Sequence, residues 1–399
     1  MSNIKAIENE VILNGRTHNQ CWFSPGITVV QGKTPCSIPE VFINVNQLVG
    51  DDCGLNHFTR TKDMGRHWTP PMESQNLLGI ARADDFFEKP NISLFYHHAT
   101  KKLIGLGATQ FYRDAGNSTG YKMESIARSN ECKNKNTMIY TEWDFEQSDF
   151  ISWTPIDLPP ELKTFHYVAW PKIDIELDDG TVLCPFYLRE SADDLYTAAA
   201  VMHARIDDKG FHCLELGNLL RVDSKRGLAE PSLIHFQDKY LMTVRHDEQA
   251  YVCTSDDGLH YTEPTPWLFE DGSKLGNFNT QQHWLVQGDC LFLLYNRRSA
   301  LNNGVFRCRA PLYIAEVNPK TLRIIRKSEQ VVFPEKGARM GNFNVVNVTD
   351  NEAWVVTGEW LEGLVSGQKE GDRFYFPGAA PTFNRIQYLG DLLLAKIRF

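Results

Sequence analysis

The chain of 399 residues has no stretch of uninterrupted apolar residues approaching the ~20 that cross a bilayer as a helix. Its start, Met1-Ser2-Asn3-Ile4-Lys5-Ala6-Ile7-Glu8, lacks the apolar core of a signal peptide. As written, the sequence therefore reads as soluble and cytoplasmic, with no membrane partner; a removed leader or a leaderless route leaves export open. Cysteine pairing is missing too. The nine cysteines are odd in number, stand singly and form no CxxC pair, so neither a disulfide framework nor a ribbon-type metal site is expected, and they read as reduced thiols. Positive charge is not in excess: the formal net charge of −9 argues against a general nucleic-acid binder. No long amphipathic helix can be traced, and no Gly/Pro-rich linker divides the chain.

What is present is a sequence of short strands. Aromatic residues make up 12%, and 28 Gly and 19 Pro are scattered throughout, the pattern of many strands separated by turns. One unit recurs six times: a small or polar residue, often followed by proline, opens an alternating apolar strand. The units begin at Cys21-Trp22-Phe23-Ser24-Pro25, Glu88-Lys89-Pro90, Ala169-Trp170-Pro171, Ala229-Glu230-Pro231, Thr280-Gln281-Gln282-His283 and Gly341-Asn342-Phe343, roughly 50 to 80 residues apart. Partner strands follow after tight turns at 104–111, 181–188, 239–245, 290–295 and 353–358. The ends, 6–13 and 392–399, both read as strands able to complete one blade together. The polar run Arg128 to Asn136 reads as a solvated loop.

A hairpin signature supports the same architecture. Thr61-Lys62-Asp63-Met64-Gly65-Arg66-His67-Trp68 fits the Asp-box pattern Ser/Thr-x-Asp-x-Gly-x-x-Trp at every specified position, and Ser255-Asp256-Asp257-Gly258-Leu259-His260-Tyr261 is a shorter variant. Aspartate can accept bonds from the turn amides, glycine takes a backbone angle others avoid, and the aromatic residue plugs the blade. The expectation is an all-β fold, a single β-propeller over residues 1–399, built of four-stranded antiparallel blades.

In a propeller the innermost strands line a central channel, so the residues that open them are where a site would gather. Those positions carry His18, Glu230, Arg245-His246-Asp247, Gln281-Gln282-His283, Arg297-Arg298, Arg307-Cys308-Arg309, Arg339 and Asn342. Guanidinium groups suit bidentate recognition of a carboxylate or sulfate, which points to an acidic sugar. His98, on the hairpin after Phe95-Tyr96, could accept a proton. Tyr187, in Pro185-Phe186-Tyr187-Leu188-Arg189, could donate or accept one near Arg205. His283 and Cys308, on successive strands, make a two-residue metal candidate without the usual ligand spacing.

Over most of its length the chain resembles the sialidase-like propellers that include ulvan lyases, rhamnosyl-glucuronate lyases and related α-L-rhamnosidases. The likeness rests on Cys21-Trp22-Phe23-Ser24-Pro25, the 57–65 segment, Gly227-Leu228-Ala229-Glu230-Pro231-Ser232-Leu233, Asn279-Thr280-Gln281-Gln282-His283-Trp284 and Phe306-Arg307-Cys308-Arg309-Ala310-Pro311-Leu312. It implies seven blades, one more than the units counted, with the extra blade drawn from the termini and the 109–165 region. It also implies β-elimination at a uronate of a rhamnose-containing glycan. His98 and Tyr187 would be base and acid. Arg205 or Arg245, with Gln281, would neutralise the carboxylate, and Arg297 and Glu230 would contact substrate. No cofactor is required, although a structural metal ion is compatible with the scaffold. The rhamnosidase branch would instead use His18 for hydrolysis, and a noncatalytic glycan-binding propeller is the third reading. True sialidases carry an early Arg in a Phe/Tyr-Arg-Ile-Pro segment. Here the corresponding stretch, Trp22-Phe23-Ser24-Pro25-Gly26-Ile27, has none, which disfavours exo-sialidase activity.

Overall fold

A computed structural model of the protein describes residues 3–30, 38–48, 54–81, 86–114, 123–125, 136–163, 165–191, 196–224, 226–277, 279–299, 302, 305–363 and 387–399. The Arg128 to Asn136 run lies outside the described residues except for Asn136, whose side-chain oxygen accepts the Val168 amide at 2.9 Å.

Apolar residues buried on both faces make the strands, as in Val182–Leu188, and the expected units assemble into six antiparallel blades, the third opening on two short pieces, Tyr167–Ala169 and Ile175–Glu176. Blade 1 runs Trp22–Val30, Glu40–Leu48, Gly54–Thr61, Met72–Glu73. Blade 2 is built on Phe86–His97, Lys102–Asp114, Met138–Asp144 and Asp149–Phe150. Blade 3 uses Tyr167–Ala169, Val182–Arg189, Tyr196–Asp207 and Gly210–Leu216. Blades 4 and 5 begin at Ala229–Phe236 and His283–Gln287. Blade 6 is Phe343–Thr349, Glu352–Gly358 and Leu392–Arg398, completed by the N-terminal strand Ala6–Leu13 in the register Ala6 to Arg398. Inner strands of neighbouring blades touch from blade 3 through 4, 5, 6 and 1 to blade 2, and Tyr167–Ala169 of blade 3 meets Lys102–Asp114 of blade 2 to close the ring. The cores lie between sheets, as in Leu285, Phe292 and Leu312 of blade 5 against Phe343, Val355 and Ala395 of blade 6.

The seventh blade expected from the resemblance is not formed by the described residues. The 109–165 region widens blade 2 instead: Met123–Ser125 and Thr154–Pro155 pair with its existing strands.

Both aspartate turns have the anticipated bonding. Thr61 Oγ1 donates to Asp63 Oδ1 (2.8 Å), which also accepts the His67 amide (2.9 Å), and the Gly65 amide donates to Thr61 Oγ1 (3.0 Å). In the shorter turn Asp257 Oδ1 accepts Ser255 Oγ and the Leu259 and His260 amides. Gly65 and Gly258 sit at φ 78° and 81°, where a side chain is strained. The turns staple blade to blade. Trp68 packs on Trp354 of blade 6 with ring centroids 6.0 Å apart, and Leu259 and Tyr261 pack with Leu183 of blade 3.

The recurring proline marks a further device. In blades 1 and 4 the pairing slips between Phe23 and Gly26 and between Ala229 and Ser232, and the residue before proline is left-handed: Ser24 at φ 51°, Glu230 at φ 47°, and likewise Trp170 at φ 55°. A residue before proline ordinarily prefers extended backbone. These bulges bend the start of the inner strand and re-aim one side chain.

Candidate functional site

We call upper the face on which the inner strands begin and lower the face on which they end. On the upper face the bulge at Glu230 and the loops before blades 4 to 6 bring a group of arginines together. Arg245, 4% exposed, ends the second strand of blade 4 opposite Ala229. Its Nη1 donates to Glu230 Oε1 at 2.6 Å and its Nη2 to Asn279 Oδ1. Arg309, 6% exposed, donates from Nε (3.2 Å) and Nη2 (2.7 Å) to the Asn279 carbonyl. Arg226 Nη1 reaches Asp247 Oδ1 at 3.3 Å. Arg339 stacks on Trp360, its guanidinium carbon 3.5 Å from the ring centroid, and faces Phe306 at 4.9 Å.

The electrostatics are lopsided. Burial, then the guanidiniums of Arg245, Arg307 and Arg339, push the Arg309 pKa well below its ordinary value, against a weaker pull from Glu230. Burial opposes ionisation of Glu230, but Arg245, with Arg309 and Arg226, more than offsets it and holds this carboxyl below the usual range. Glu230 Oε2 and Arg245 Nε are shut from solvent without a hydrogen-bond partner among the described residues. The unused Arg245 Nε donor and the crowding of buried guanidiniums favour an incoming anion, against the opposing charge of Glu230. Backbone strain collects here as well: Arg226, Glu230, Asn279, Arg307 and Cys308 all have φ between 47° and 75°, and such clusters accompany ligand sites.

Of the side chains expected from sequence, Glu230 and Arg245 meet in this site. Tyr187 lies buried beneath the same face, paired with Ala169 and packed with Tyr167 and with Ala229, the neighbour of Glu230. His98 does not join them. It sits on the lower face, where its amide donates to Glu176 Oε2 at 2.7 Å. Glu176 pairs with Val182 and Ala169 with Tyr187 on one continuous strand, about 17 Å apart at five residues of extended chain, so the expected His98/Tyr187 acid–base pair is not assembled. The pairing failed because the hairpin tip and the strand opening lie at opposite ends of the blade.

The other expectations are corrected by specific contacts. Arg205 is on an outer strand of blade 3, largely exposed, beside Asp207 at 3.5 Å. Arg297 is locked bidentately on Glu329 (2.9 and 2.6 Å) and over Tyr313, 4.9 Å from its centroid. Gln281 is buried and ties blades 5 and 6 through the Phe343 carbonyl at 2.9 Å. His18 is exposed in the short helix Gly15–His18, its Nδ1 2.6 Å from the Asn14 carbonyl oxygen. His283 is buried with Nδ1 3.4 Å from Ser232 Oγ, while Cys308 stays in the turn Phe306–Cys308. No group of three or more His, Cys, Asp or Glu that could hold a metal occurs among the described residues. Arg309 and Asn279 are the residues that the sequence left unassigned. The available signal was their presence in motifs that open neighbouring units; their convergence depends on loop paths that periodicity does not encode.

No family model and no curated protein sequence matches the chain. Solved structures do. A protein of unknown function from Dyadobacter fermentans superposes with TM-score 0.60 at 15% identity, covering 99% of this chain and all of its own. The Trypanosoma rangeli sialidase, solved with sialic acid, gives 0.55 at 12% identity over 98% of this chain and 59% of its own. The NanB sialidase from Streptococcus pneumoniae gives 0.58 at 10% over 98% and 70%. At these identities the likeness is one of fold: the chain is a sialidase-like β-propeller, and the two sialidase chains are substantially longer.

Proposed function

We propose that the protein is a carbohydrate-active enzyme that holds the carboxylate of an acidic sugar against Arg245 and Arg309 on the upper face and cleaves the adjoining glycosidic bond by β-elimination. The observation that carries this reading is the excess of buried guanidinium around Glu230 and Asn279. Neutralising the carboxylate acidifies the hydrogen at C5 of a uronate. A base takes that proton, the electron pair forms the C4–C5 double bond, the C4–O bond breaks, and the departing oxygen is protonated. Tyr187, under the same face, is assigned the proton-carrying role. Glu230, whose carboxyl is held below the usual range by Arg245, Arg309 and Arg226 against the cost of burial, is anionic and is not the proton donor.

The test is incubation of the protein with ulvan, gum arabic and rhamnosyl-glucuronate oligosaccharides, following unsaturated uronate by its ultraviolet absorbance together with released sugar. Absorbance that grows with cleavage supports elimination. Sugar release without it replaces elimination by hydrolysis, and binding without turnover leaves a glycan-binding propeller.

A further inference from the structure

On the lower side the central channel widens into a cavity of about 1110 Å³, at the upper end of the volumes that hold small ligands. Its polar groups come from inner strands of different blades: Thr28 from blade 1, Ser93 from blade 2, Asn344 from blade 6, and Lys172 with Asp174 from the blade 3 segment that follows the Trp170-Pro171 bend. Thr28 and Lys172 are 7% and 8% exposed. Lys172 Nζ lies 3.0 Å from Asp174 Oδ1, and Asp174 Oδ2 accepts the Leu233 amide of blade 4 at 2.7 Å, which fixes the pair to the channel wall.

An ammonium offers three donors, and Asp174 is the one partner of the Lys172 side chain among the described residues. The Thr28 and Ser93 hydroxyls and the Asn344 amide nitrogen likewise have no hydrogen bond within the described residues. Thr28 and Lys172 are buried as residues and Ser93 and Asn344 partly so, but none of these four atoms is sealed inside the protein, so each is free to bond a ligand that enters the cavity. The Lys172–Asp174 pair is neutral as a unit, and Asp350 adds negative charge to the lining; both disfavour an anion. A sugar hydroxyl donates and accepts at once, so neighbouring hydroxyls can use the ammonium and the carboxylate together. Phe95 and Ile173 supply apolar wall for the C–H face of a ring.

We propose that this cavity is a second ligand site, specific for a neutral monosaccharide or disaccharide, which inserts from the lower face and hydrogen-bonds to Lys172, Asp174 and Thr28. It shares no side chain with the arginine site and does not rest on the activity assigned there.

The test is calorimetric titration of the full-length protein with D-glucose, D-galactose, L-rhamnose and maltose, repeated on Thr28→Val, Lys172→Met and, as control, Arg309→Ala. Saturable binding of at least one sugar is expected. Thr28→Val and Lys172→Met should each weaken it about tenfold, the loss of one good hydrogen bond, with Arg309→Ala unchanged. Thr28→Val preserves shape and carries the test if Lys172→Met fails to fold. The proposal is overturned if none of the four sugars binds saturably at millimolar concentration, if Thr28→Val binds as wild type does, or if Arg309→Ala abolishes binding.

Discussion

Arg309 separates ligand binding from folding better than its neighbour does, because it donates to a backbone carbonyl whereas Arg245 holds a buried carboxylate. Removing Arg245 strips Glu230 of its hydrogen-bonded partner, which costs up to about 3–5 kcal/mol for a buried pair. Arg309→Ala should instead fold and lower kcat/KM on an acidic glycan by about 10- to 100-fold, the worth of one charge-assisted bond. Arg309→Lys should recover part of it, since lysine restores the charge without the planar fork. Steady-state kinetics on both variants checks this; an unchanged kcat/KM in Arg309→Ala removes the site. Glu230 supplies a pH test. Its folded pKa is depressed below the ordinary 4.5, so its contribution to stability is present above that value and lost as pH falls through the folded pKa. Thermal midpoints measured downward from about pH 4.5 should fall for the wild type, and Glu230→Gln should lack that component. At this scale Arg245 and Glu230 could be read from their motifs, but their partner Asn279 could not, because a left-handed residue at φ 49° turns it into contact.

Strands and hairpins were the most legible level. Apolar alternation located five partner strands, and Thr-x-Asp-x-Gly located the turn that joins blade 1 to blade 6. What alternation could not reveal is the bulge at Ser24 and Glu230, since a slip in pairing changes aim without changing composition. The turn invites a direct test. A Cβ added at Gly65 would lie 2.9 Å from Lys396 Nζ and 3.2 Å from Trp354 at φ 78°. Gly65→Ala should therefore destabilise the protein by about 1–2 kcal/mol, the cost of a left-handed non-glycine residue, read as a lower midpoint in chemical denaturation. Hydrogen exchange should rise in Gly54–Thr61 and in Leu392–Arg398, the strand that carries Lys396, if the turn acts as the staple between blades. A midpoint equal to wild type would show that the turn relaxes freely.

The ring has two faces, and the distance between them decides which expectations survive at the scale of the molecule. The sequence placed His98 on a hairpin and Tyr187 on a strand, but alternation carries no label for up or down. The fold does: the inner strand of blade 2 ends at His97 whereas Tyr187 pairs with the opening of blade 3. If cleavage takes place on the upper face, Tyr187→Phe should lower kcat by about 10²- to 10⁴-fold, the usual worth of a positioned proton carrier. His98→Ala, far from that face, should leave kcat and KM within twofold of wild type. Far-ultraviolet dichroism and thermal midpoints on both variants guard against a trivial loss of fold. The opposite pattern, with His98→Ala inactive and Tyr187→Phe active, would move the chemistry to the lower face, beside the Lys172 cavity that His98 lines.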